Sequence, residues 1–316
     1  MPKGIYIQEA GQAVGGGGSG TYDTTLASGL TMPTTVGGYP AGTIVADVSG
    51  DTLIKMWDDL LFPTVLAYIG TAVSALLNGV TTATAEVGTA YAPVSTGILT
   101  PGVIKNGDGT NGPNLKGDAN EFRFYLPNTT LDETVASPVS NTTGFTFTSY
   151  EIILGTNRWQ VQIDYDAGTG TYYDNKGNAV TNLDGDRGTG TASDYSNIIT
   201  GRRYAWWGYG TQSSAPTDST GVRALGSKSF LDGSNLGSFT ITIPASTQEV
   251  YLYVPAGNTI NVLYRESANT NVNDSFTKTT FNVNDAGGNP ISYDSWVSFI
   301  GSGGYGSEVH YDVTIS

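Results

Sequence analysis

The sequence contains no cysteine and a single histidine, and only 13% of its 316 residues are charged. Without cysteine, neither disulfides nor thiolate metal sites can hold the fold, so its stability must come from burial and hydrogen bonding. With one imidazole, a zinc or iron site would depend on carboxylates, which these metals seldom use alone. We therefore expect no cofactor.

Positive charge is also scarce. The chain has 14 Lys and Arg residues against 28 Asp and Glu, a formal net charge of −14. Nucleic acids and anionic membranes are bound by cationic surfaces, so this balance argues against both as partners. The sequence has no run of about 18 apolar residues, so membrane insertion is not expected. Its N-terminal stretch lacks the apolar core of a secretory signal peptide.

Glycine is abundant, at 43 residues, and strand-like alternation dominates after residue 70. Phe122 and Phe124 alternate with polar neighbours, as do Trp159, Val161 and Ile163, a period of two that is typical of half-buried strands. Clusters of Gly, Asn, Asp and Pro between such runs predict turns. The sequence therefore predicts an all-β protein built from antiparallel β-sandwiches.

Composition divides the chain into four predicted parts. Residues 1–35 form an N-terminal arm with a Gly-rich linker, and residues 36–69 form an adaptor segment with a short helix. Two β-sandwich domains follow, at residues 70–211 and 212–316. The polar stretch 212–220, which contains a proline, is the best candidate for a linker at their boundary.

The predicted helix covers residues 52–62. Leu53, Trp57 and Leu60 lie on one apolar stripe of a 3.6-residue period, and Pro63 ends the helix. Two interpretations remain open. The helix either plugs one end of a β-domain or docks on a neighbouring protein, in which case these three residues form the interface.

One short pattern occurs twice. Residues 174–180 and 285–291 share D-x-x-G-N-x-[VI], beginning at Asp174 and Asp285. An Asp side chain can accept hydrogen bonds from nearby backbone amides, and Gly tolerates positive φ. Both stretches are therefore predicted to form hairpin turns in two related units.

No catalytic residue is predicted, and no enzymatic activity is expected. The sequence has no Gly-x-Ser-x-Gly nucleophile elbow that could act with His310, the single histidine. A surface or edge-strand position is therefore expected for His310. A glycosidase using the carboxylates of Asp164 and Asp166 is the less favoured alternative. Asp184 and Asp186 lie in a turn rich in the oxygen ligands that Ca²⁺ prefers, but without EF-hand spacing. Plain turn chemistry is therefore favoured over a calcium site.

Aromatic residues are dense at Trp206, Trp207 and Tyr209. Adjacent strand residues face opposite sides of a sheet, so one Trp is expected in the core and the other at solvent or an interface. An exposed aromatic ring can stack on a sugar. The three residues are thus a candidate glycan platform, although a core or subunit-interface position is favoured.

Several loose motifs follow one another in order along residues 36–316. They are Val36-Gly37-Gly38 with Ala41-Gly42-Thr43 before the helix, Glu86-Val87-Gly88-Thr89, Tyr165 to Asn178, Thr200 to Gly208, and Phe239 to Val297. Their order resembles a module of virion structural proteins of tailed bacteriophages, particularly phages of Bacteroidetes hosts, including crAss-like ones. The first 35 residues fall outside this resemblance.

The resemblance implies immunoglobulin-like β-domains and a non-enzymatic structural role in a virion assembled in the host cytoplasm. The protein would be part of a tail, baseplate, fibre or head-surface appendage. It would attach to other virion proteins through its arm and helix, as a homo-oligomer with a trimer favoured. The alternative is a glycan-binding module that recognises a host-surface receptor. The resemblance brings no catalytic residues.

Overall fold

The computed structural model describes residues 61–138 and 140–316. The predicted arm, and residues 52–60 of the predicted helix with its interface residues Leu53, Trp57 and Leu60, lie outside the described residues. Most of the described residues form β-strands, which confirms the predicted all-β class.

The strands before residue 203 are short and closely spaced. They are β1 (Tyr68–Thr71), β2 (Ser74–Asn78), β3 (Ala83–Glu86), β4 (Ala90–Tyr91), β5 (Val94–Thr100), β6 (Val103–Lys105), β7 (Asn111–Asn114), β8 (Lys116–Leu126), β9 (Thr130–Ala136), β10 (Thr142–Thr146), β11 (Tyr150–Glu151), β12 (Gly155–Asn157), β13 (Gln160–Ala167), β14 (Tyr172–Tyr173), β15 (Ala179–Val180), β16 (Gly190–Tyr195) and β17 (Ile199–Arg202).

The later strands are longer and one short helix interrupts them. They are β18 (Tyr204–Gly210), α1 (Ser219–Arg223), β19 (Ser227–Phe230), β20 (Gly237–Ile243), β21 (Glu249–Pro255), β22 (Ile260–Tyr264), β23 (Thr270–Asn271), β24 (Phe276–Asn284), β25 (Pro290–Phe299) and β26 (Val309–Ile315). Single 3₁₀ turns lie at Asp184–Asp186, Arg265–Ser267 and Asn273–Ser275.

The chain divides into two compact units. In the described residues, the smaller unit consists of residues 61–68, 105–110 and 172–180. The larger consists of residues 69–104, 111–171 and 181–316, and so includes strands from both predicted β-domains.

The core of the N-terminal strands lies between two sheets of the larger unit, with strand orders β16-β13-β8-β9 and β10-β5-β2. The residues predicted to face inward do so: Phe122, Phe124, Trp159, Val161 and Ile163 are all fully buried. They pack with Leu77 and Leu99 from the facing sheet in one cluster. The period-two pattern therefore gave the correct inward face of β8 and β13.

The pairing of β17 with β3 departs from the antiparallel prediction. Strand β17 lies between β12 and β3, and its pairing with β3 is parallel, from Ile199 opposite Ala83 to Arg202 opposite Glu86. Parallel neighbours require a long connection rather than a hairpin. The connection here contains most of the N-terminal strands.

The C-terminal strands form a five-stranded sheet, β19-β18-β21-β25-β24, that faces a four-stranded sheet, β20-β26-β22-β23. All seven residues of β21 are buried. One face of the strand packs toward the four-stranded sheet, and the other carries Tyr251 and Tyr253 in a second cluster with Val222 of α1. Sheet membership changes between β17 and β18, just before the predicted boundary at 211/212.

The stretch 212–220, predicted as a linker, packs on this sheet. The backbone amides of Ser214 and Ala215 donate to Oε2 of Glu249, at 2.8 and 3.0 Å, and the Tyr253 hydroxyl donates to the Pro216 carbonyl at 2.7 Å. The Glu249 carboxylate is buried and needs such donors. Backbone amides of this stretch therefore satisfy a buried carboxylate, and the linker interpretation is wrong.

Candidate functional site: two turns that hold upstream segments

The Asp174 turn joins β14 to β15 as a hydrogen-bonded hairpin. Asp174 Oδ1 accepts from the backbone amides of Lys176 and Asn178, both at 2.8 Å, and Oδ2 accepts from Asn178 Nδ2 at 3.0 Å. Gly177 has φ of 82°. The side-chain donor of Asn178, together with the backbone amides, lowers the pKa of Asp174.

The Asp285 turn joins β24 to β25 with the same geometry. Asp285 Oδ1 accepts from the amides of Gly287 and Asn289, at 2.9 and 2.8 Å, and Gly288 has φ of 89°. Both turns were predicted from the shared D-x-x-G-N pattern, and both predictions are confirmed, since the Asp binds backbone amides and the Gly takes positive φ.

The residue after each Asp donates its backbone amide to a carbonyl far upstream. Asn175 N donates to Val65 O at 3.0 Å, and Ala286 N donates to Val87 O at 3.1 Å. We name these contacts the first clamp (the Asp174 turn on residues 63–65) and the second clamp (the Asp285 turn on residues 86–88). A repeated sequence pattern thus makes a repeated contact.

In the first clamp, the Asn175 side chain adds two hydrogen bonds. Its Oδ1 accepts from Val65 N at 2.9 Å, and its Nδ2 donates to Pro63 O at 3.0 Å. Together with the amide contact, one residue therefore makes three hydrogen bonds to the end of the predicted adaptor segment. Residues 63–65, at the end of that segment, are therefore held in place, although the side chains of Leu61, Phe62 and Leu66 beside them are exposed.

Each clamp closes over a glycine. A Cβ atom at Gly107 would collide with Val65 O and Asn175 N in the first clamp. A Cβ atom at Gly88 would lie 2.5 Å from Asp285 Cγ and from Gly287 N in the second. Real Cβ atoms do not approach so closely, and Gly88 also has φ of 85°. Glycine is therefore required at both positions.

Ionic contacts reinforce the second clamp. Arg223 of α1 donates from Nη1 to Glu86 Oε1 at 2.5 Å and from Nη2 to Oε2 at 3.1 Å, and Nη1 also reaches Asn284 O at 2.7 Å. Asn289 Nδ2 donates to Glu151 Oε2 at 3.1 Å. The hydrogen bond to Glu86 raises the pKa of Arg223. These contacts join the C-terminal strands to β3 and β11.

A third turn of this kind was missed. Asp232 Oδ1 accepts from the amides of Ser234 and Leu236, at 2.8 and 2.9 Å, and Asn235 occupies the position of positive φ, at 63°. Asn tolerates this conformation better than most residues. A pattern that accepts Gly or Asn at the fourth position and any residue at the fifth and seventh positions would have found this turn. Arg223 and Glu151 had no local signal at all.

The carboxylates considered for glycosidic cleavage have other partners. Asp164 Oδ2 accepts from Arg123 Nη2 at 2.6 Å, and its Oδ1 accepts from Thr191 Oγ1 at 2.6 Å. Asp166 Oδ1 accepts from Asn120 Nδ2 at 2.9 Å. Both oxygens of Asp164 are engaged within the sheet, so this geometry favours a structural ion pair over an acid–base pair.

The predicted turn of Asp184 and Asp186 is a single 3₁₀ turn. In residues 61–138 and 140–316, no group of three or more His, Asp or Glu residues could hold a metal ion. His310 lies on β26, between β20 and β22, rather than on an edge strand. Its Nδ1 is 2.7 Å from Glu266 Oε1. This contact is a hydrogen bond between two side chains on the surface of the sheet.

Trp206 and Trp207 point to opposite faces of β18, as alternation predicts. Trp206 is 2% exposed and packs on Tyr293. Trp207 is half-buried and stacks on Phe239 of the facing sheet, with ring centroids 4.1 Å apart. Tyr209 is 43% exposed. Trp206 is therefore a core residue, Trp207 is only partly covered, and Tyr209 has the most exposed side chain of the three residues of the predicted platform.

Neither a protein-family model nor a curated protein nor a solved structure matches the chain. Within the described residues, no helix is both long and apolar enough to cross a bilayer. The two clamps and the surfaces around them thus provide the basis for a functional interpretation.

Proposed function

We propose that this protein is a non-enzymatic structural component of a tailed-bacteriophage virion, in a tail, baseplate, fibre or head-surface appendage. It attaches to other virion proteins through its N-terminal segment and presents its β-domains outward. One observation carries the proposal: two stretches that carry the resemblance meet in the second clamp. They are Glu86 to Thr89 and, within the stretch Phe239 to Val297, the Asp285 turn with Gly288 and Asn289.

The second clamp connects the C-terminal strands to β3 and β11 through several contacts, and a component of a particle needs such a restrained connection. A backbone hydrogen bond, a bidentate ion pair and the Asn289 to Glu151 contact restrain the same junction from different sides. Intra-chain domains otherwise move relative to one another by default. A connection of this kind fixes the direction in which the C-terminal strands extend.

The first clamp supports attachment at the N-terminal side. It holds residues 63–65, while neighbouring apolar side chains remain exposed, with 63% for Leu61, 64% for Phe62 and 49% for Leu66. Exposed apolar patches on soluble proteins commonly mark interaction surfaces. A fixed segment with exposed apolar side chains suits docking on a neighbouring virion protein, or on further copies in a trimer.

The proposal can be tested on particles. Mass spectrometry and cryo-electron microscopy of virions from the phage that encodes this chain should find it as a stoichiometric component. The double variant Phe62→Ser and Leu66→Ser should fold normally by circular dichroism but fail to enter particles.

The matched control is Leu131→Ser, because Leu131 is 52% exposed but lies on β9, away from the adaptor segment in sequence. This control should enter particles normally. The proposal is wrong if the protein is absent from purified virions while it is abundant in infected cells. Normal incorporation of the double variant would contradict attachment through this segment.

A further inference from the structure

An open cleft of about 170 Å³ lies at one end of the β16-β13-β8-β9 sheet. Its lining includes Arg158, Gln160 and Tyr195, together with the turn residues Asn128 and Thr129 between β8 and β9. Gln160 is paired with Tyr195 across β13 and β16, so both side chains lie on the outer face of the sheet. None of these residues takes part in either clamp.

The Arg158 guanidinium is held in place on two sides. Its Nε donates to the Ser196 carbonyl at 3.0 Å, and its central carbon lies 5.0 Å from the centroid of the Tyr195 ring. Among the described residues, none accepts a hydrogen bond from its two Nη groups. A planar guanidinium that is held through Nε and has both Nη groups available is well suited to binding a carboxylate through two hydrogen bonds.

The opposite wall has an unusual backbone. Asn128 and Thr129 both have positive φ, 68° and 64°, in the turn between β8 and β9. Asn and Gly are common there, but a β-branched residue with positive φ is a genuine outlier. Strained residues of this kind cluster at functional sites. Here the strain places a threonine, with its hydroxyl and methyl groups, beside the cleft.

The chemistry of the lining selects a ligand class. Arg158 carries the one formal charge among the lining residues, on a chain with a net charge of −14. The Asn128 amide group donates to the Tyr150 hydroxyl and the Thr129 hydroxyl donates to the Asn128 carbonyl. The oxygens of both side chains can therefore accept from sugar hydroxyls, and Gln160 can donate and accept. Tyr195, 45% exposed, offers a ring face with a polar tip. The cleft is smaller than a drug-sized pocket of about 300–1,000 Å³, and so suits a single ring.

From these features, we propose that the cleft binds a carboxylate-bearing sugar residue, such as a uronic or sialic acid unit of a polysaccharide. The carboxylate pairs with the Nη groups of Arg158. The sugar ring lies against Tyr195, and its hydroxyls meet Gln160, Asn128 and Thr129. This inference does not depend on the proposed virion role.

Binding can be measured on the full chain by calorimetry and by chemical-shift perturbation. The probes are glucuronate and N-acetylneuraminate, which separate the two sources of carboxylate, and glucose as the uncharged control. At least one acid should bind, with a Kd of the order of 1 mM, and glucose should bind at least about tenfold more weakly. Added salt should weaken binding of the acid.

Three variants locate the site. Arg158→Gln should weaken acid binding by about tenfold or more, because it removes the charge and the fork. Thr129→Gly should also weaken binding but raise the urea midpoint, since Gly relieves the positive φ. This opposite movement of affinity and stability separates a ligand contact from a folding defect. Arg265→Gln is the control, because the Arg265 guanidinium is already paired with Asp312.

The proposal is overturned if neither acid binds at concentrations that would detect a Kd of about 10 mM. It is also overturned if glucose binds as well as the acids. A third contradictory result is a folded Arg158→Gln variant that binds the acid as the unaltered protein does. If Arg158→Gln fails to fold, Thr129→Gly decides the matter, and unchanged affinity in that variant removes the cleft as the site.

Discussion

Arg223 and Glu86 lie 137 positions apart in the sequence, and each terminal nitrogen of the guanidinium donates to a different oxygen of the carboxylate. The Glu86 side chain is 14% exposed and that of Arg223 is 32% exposed. The burial of this pair is therefore intermediate. Exposed ion pairs contribute little to stability, whereas disruption of a buried pair leaves an uncompensated charge. The pair of Arg223 and Glu86 links α1 to β3 at the second clamp.

We expect Arg223→Met to lower the free energy of unfolding by roughly 1–3 kcal/mol, because Glu86 would keep a largely buried charge without its partner. Urea unfolding at low and high salt measures this loss. Adding Glu86→Gln should recover part of it, so that the double-mutant cycle gives a favourable coupling. Arg265→Gln, at a pair with 48% and 36% exposed side chains, should lose much less stability than Arg223→Met, because solvent screens an exposed ion pair. Equal losses in the two arginine variants would show that the Glu86 pair has no special role.

Gly88→Ala should destabilise the protein by more than its backbone conformation alone explains. The matched control is Gly257→Ala, because Gly257 has φ of 95° and open space around the Cβ position. The control should lose about 1–2 kcal/mol. Gly88→Ala should lose at least about 1 kcal/mol more, because the new methyl group displaces the Asp285 turn. Similar losses in the two variants, measured by denaturant unfolding, would mean that the second clamp does not need close contact.

Asp174 should contribute to the pH dependence of stability. Hydrogen bonds from the Asn178 side chain, and then from backbone amides, hold the pKa of Asp174 below its usual value. Because the folded-state pKa is depressed, the stabilisation is present above the unfolded-state pKa of about 3.9. It is lost as the pH falls through the folded-state pKa.

Asp174→Asn keeps acceptors for the backbone amides but has no charge to titrate. It should therefore be less stable near neutral pH and lose less stability between about pH 5 and pH 2. Asn178→Ala, which removes the side-chain donor, should move the acid loss to higher pH. Urea unfolding across this range, and amide exchange at Lys176 and Asn178, measure the effect. Parallel pH profiles for all three proteins would contradict this role.

Substitutions of the aromatic residues of β18 should have very different effects on stability at buried and at exposed positions. Trp206→Ala should destabilise the protein by about 3–5 kcal/mol, because the side chain is buried against Tyr293. Tyr209→Ala, at a 43% exposed position, should change stability by less than about 0.5 kcal/mol. Thermal and urea unfolding measure both. A mild effect of Trp206→Ala would contradict a core position for the ring.

Local patterns predicted the parts of this fold that depend on neighbours in sequence. The Asp174 and Asp285 turns were predictable because the acceptor, the donors and the glycine lie within five residues of each other. The inward residues Trp159, Val161 and Ile163 were predictable because alternation alone assigns a strand's two faces. Neither inference needs a partner strand.

Partners across the chain could not be predicted in the same way. Alternation does not say which strand lies alongside, so the parallel pairing of β3 with β17 had no local signal. The requirement for Gly88 comes from a turn almost two hundred residues later. The stretch 212–220 resembled a linker because its side chains are polar and it contains a proline. Its contact with the buried Glu249 is made by backbone amides, which side-chain polarity does not reveal.

The direction of synthesis gives the clamps a further consequence. Val65 and Val87 leave the ribosome long before Asn175 and Ala286, whose amides bind them, and β3 likewise precedes its partner β17. Until the later residues are synthesised, β3 and the carbonyls of Val65 and Val87 therefore lack these hydrogen-bond partners. Such long-range pairing slows folding and exposes unpaired strands to aggregation. A chain truncated before residue 286 would lack the second clamp altogether, so the contact forms only after about two hundred further residues have been added to Val87.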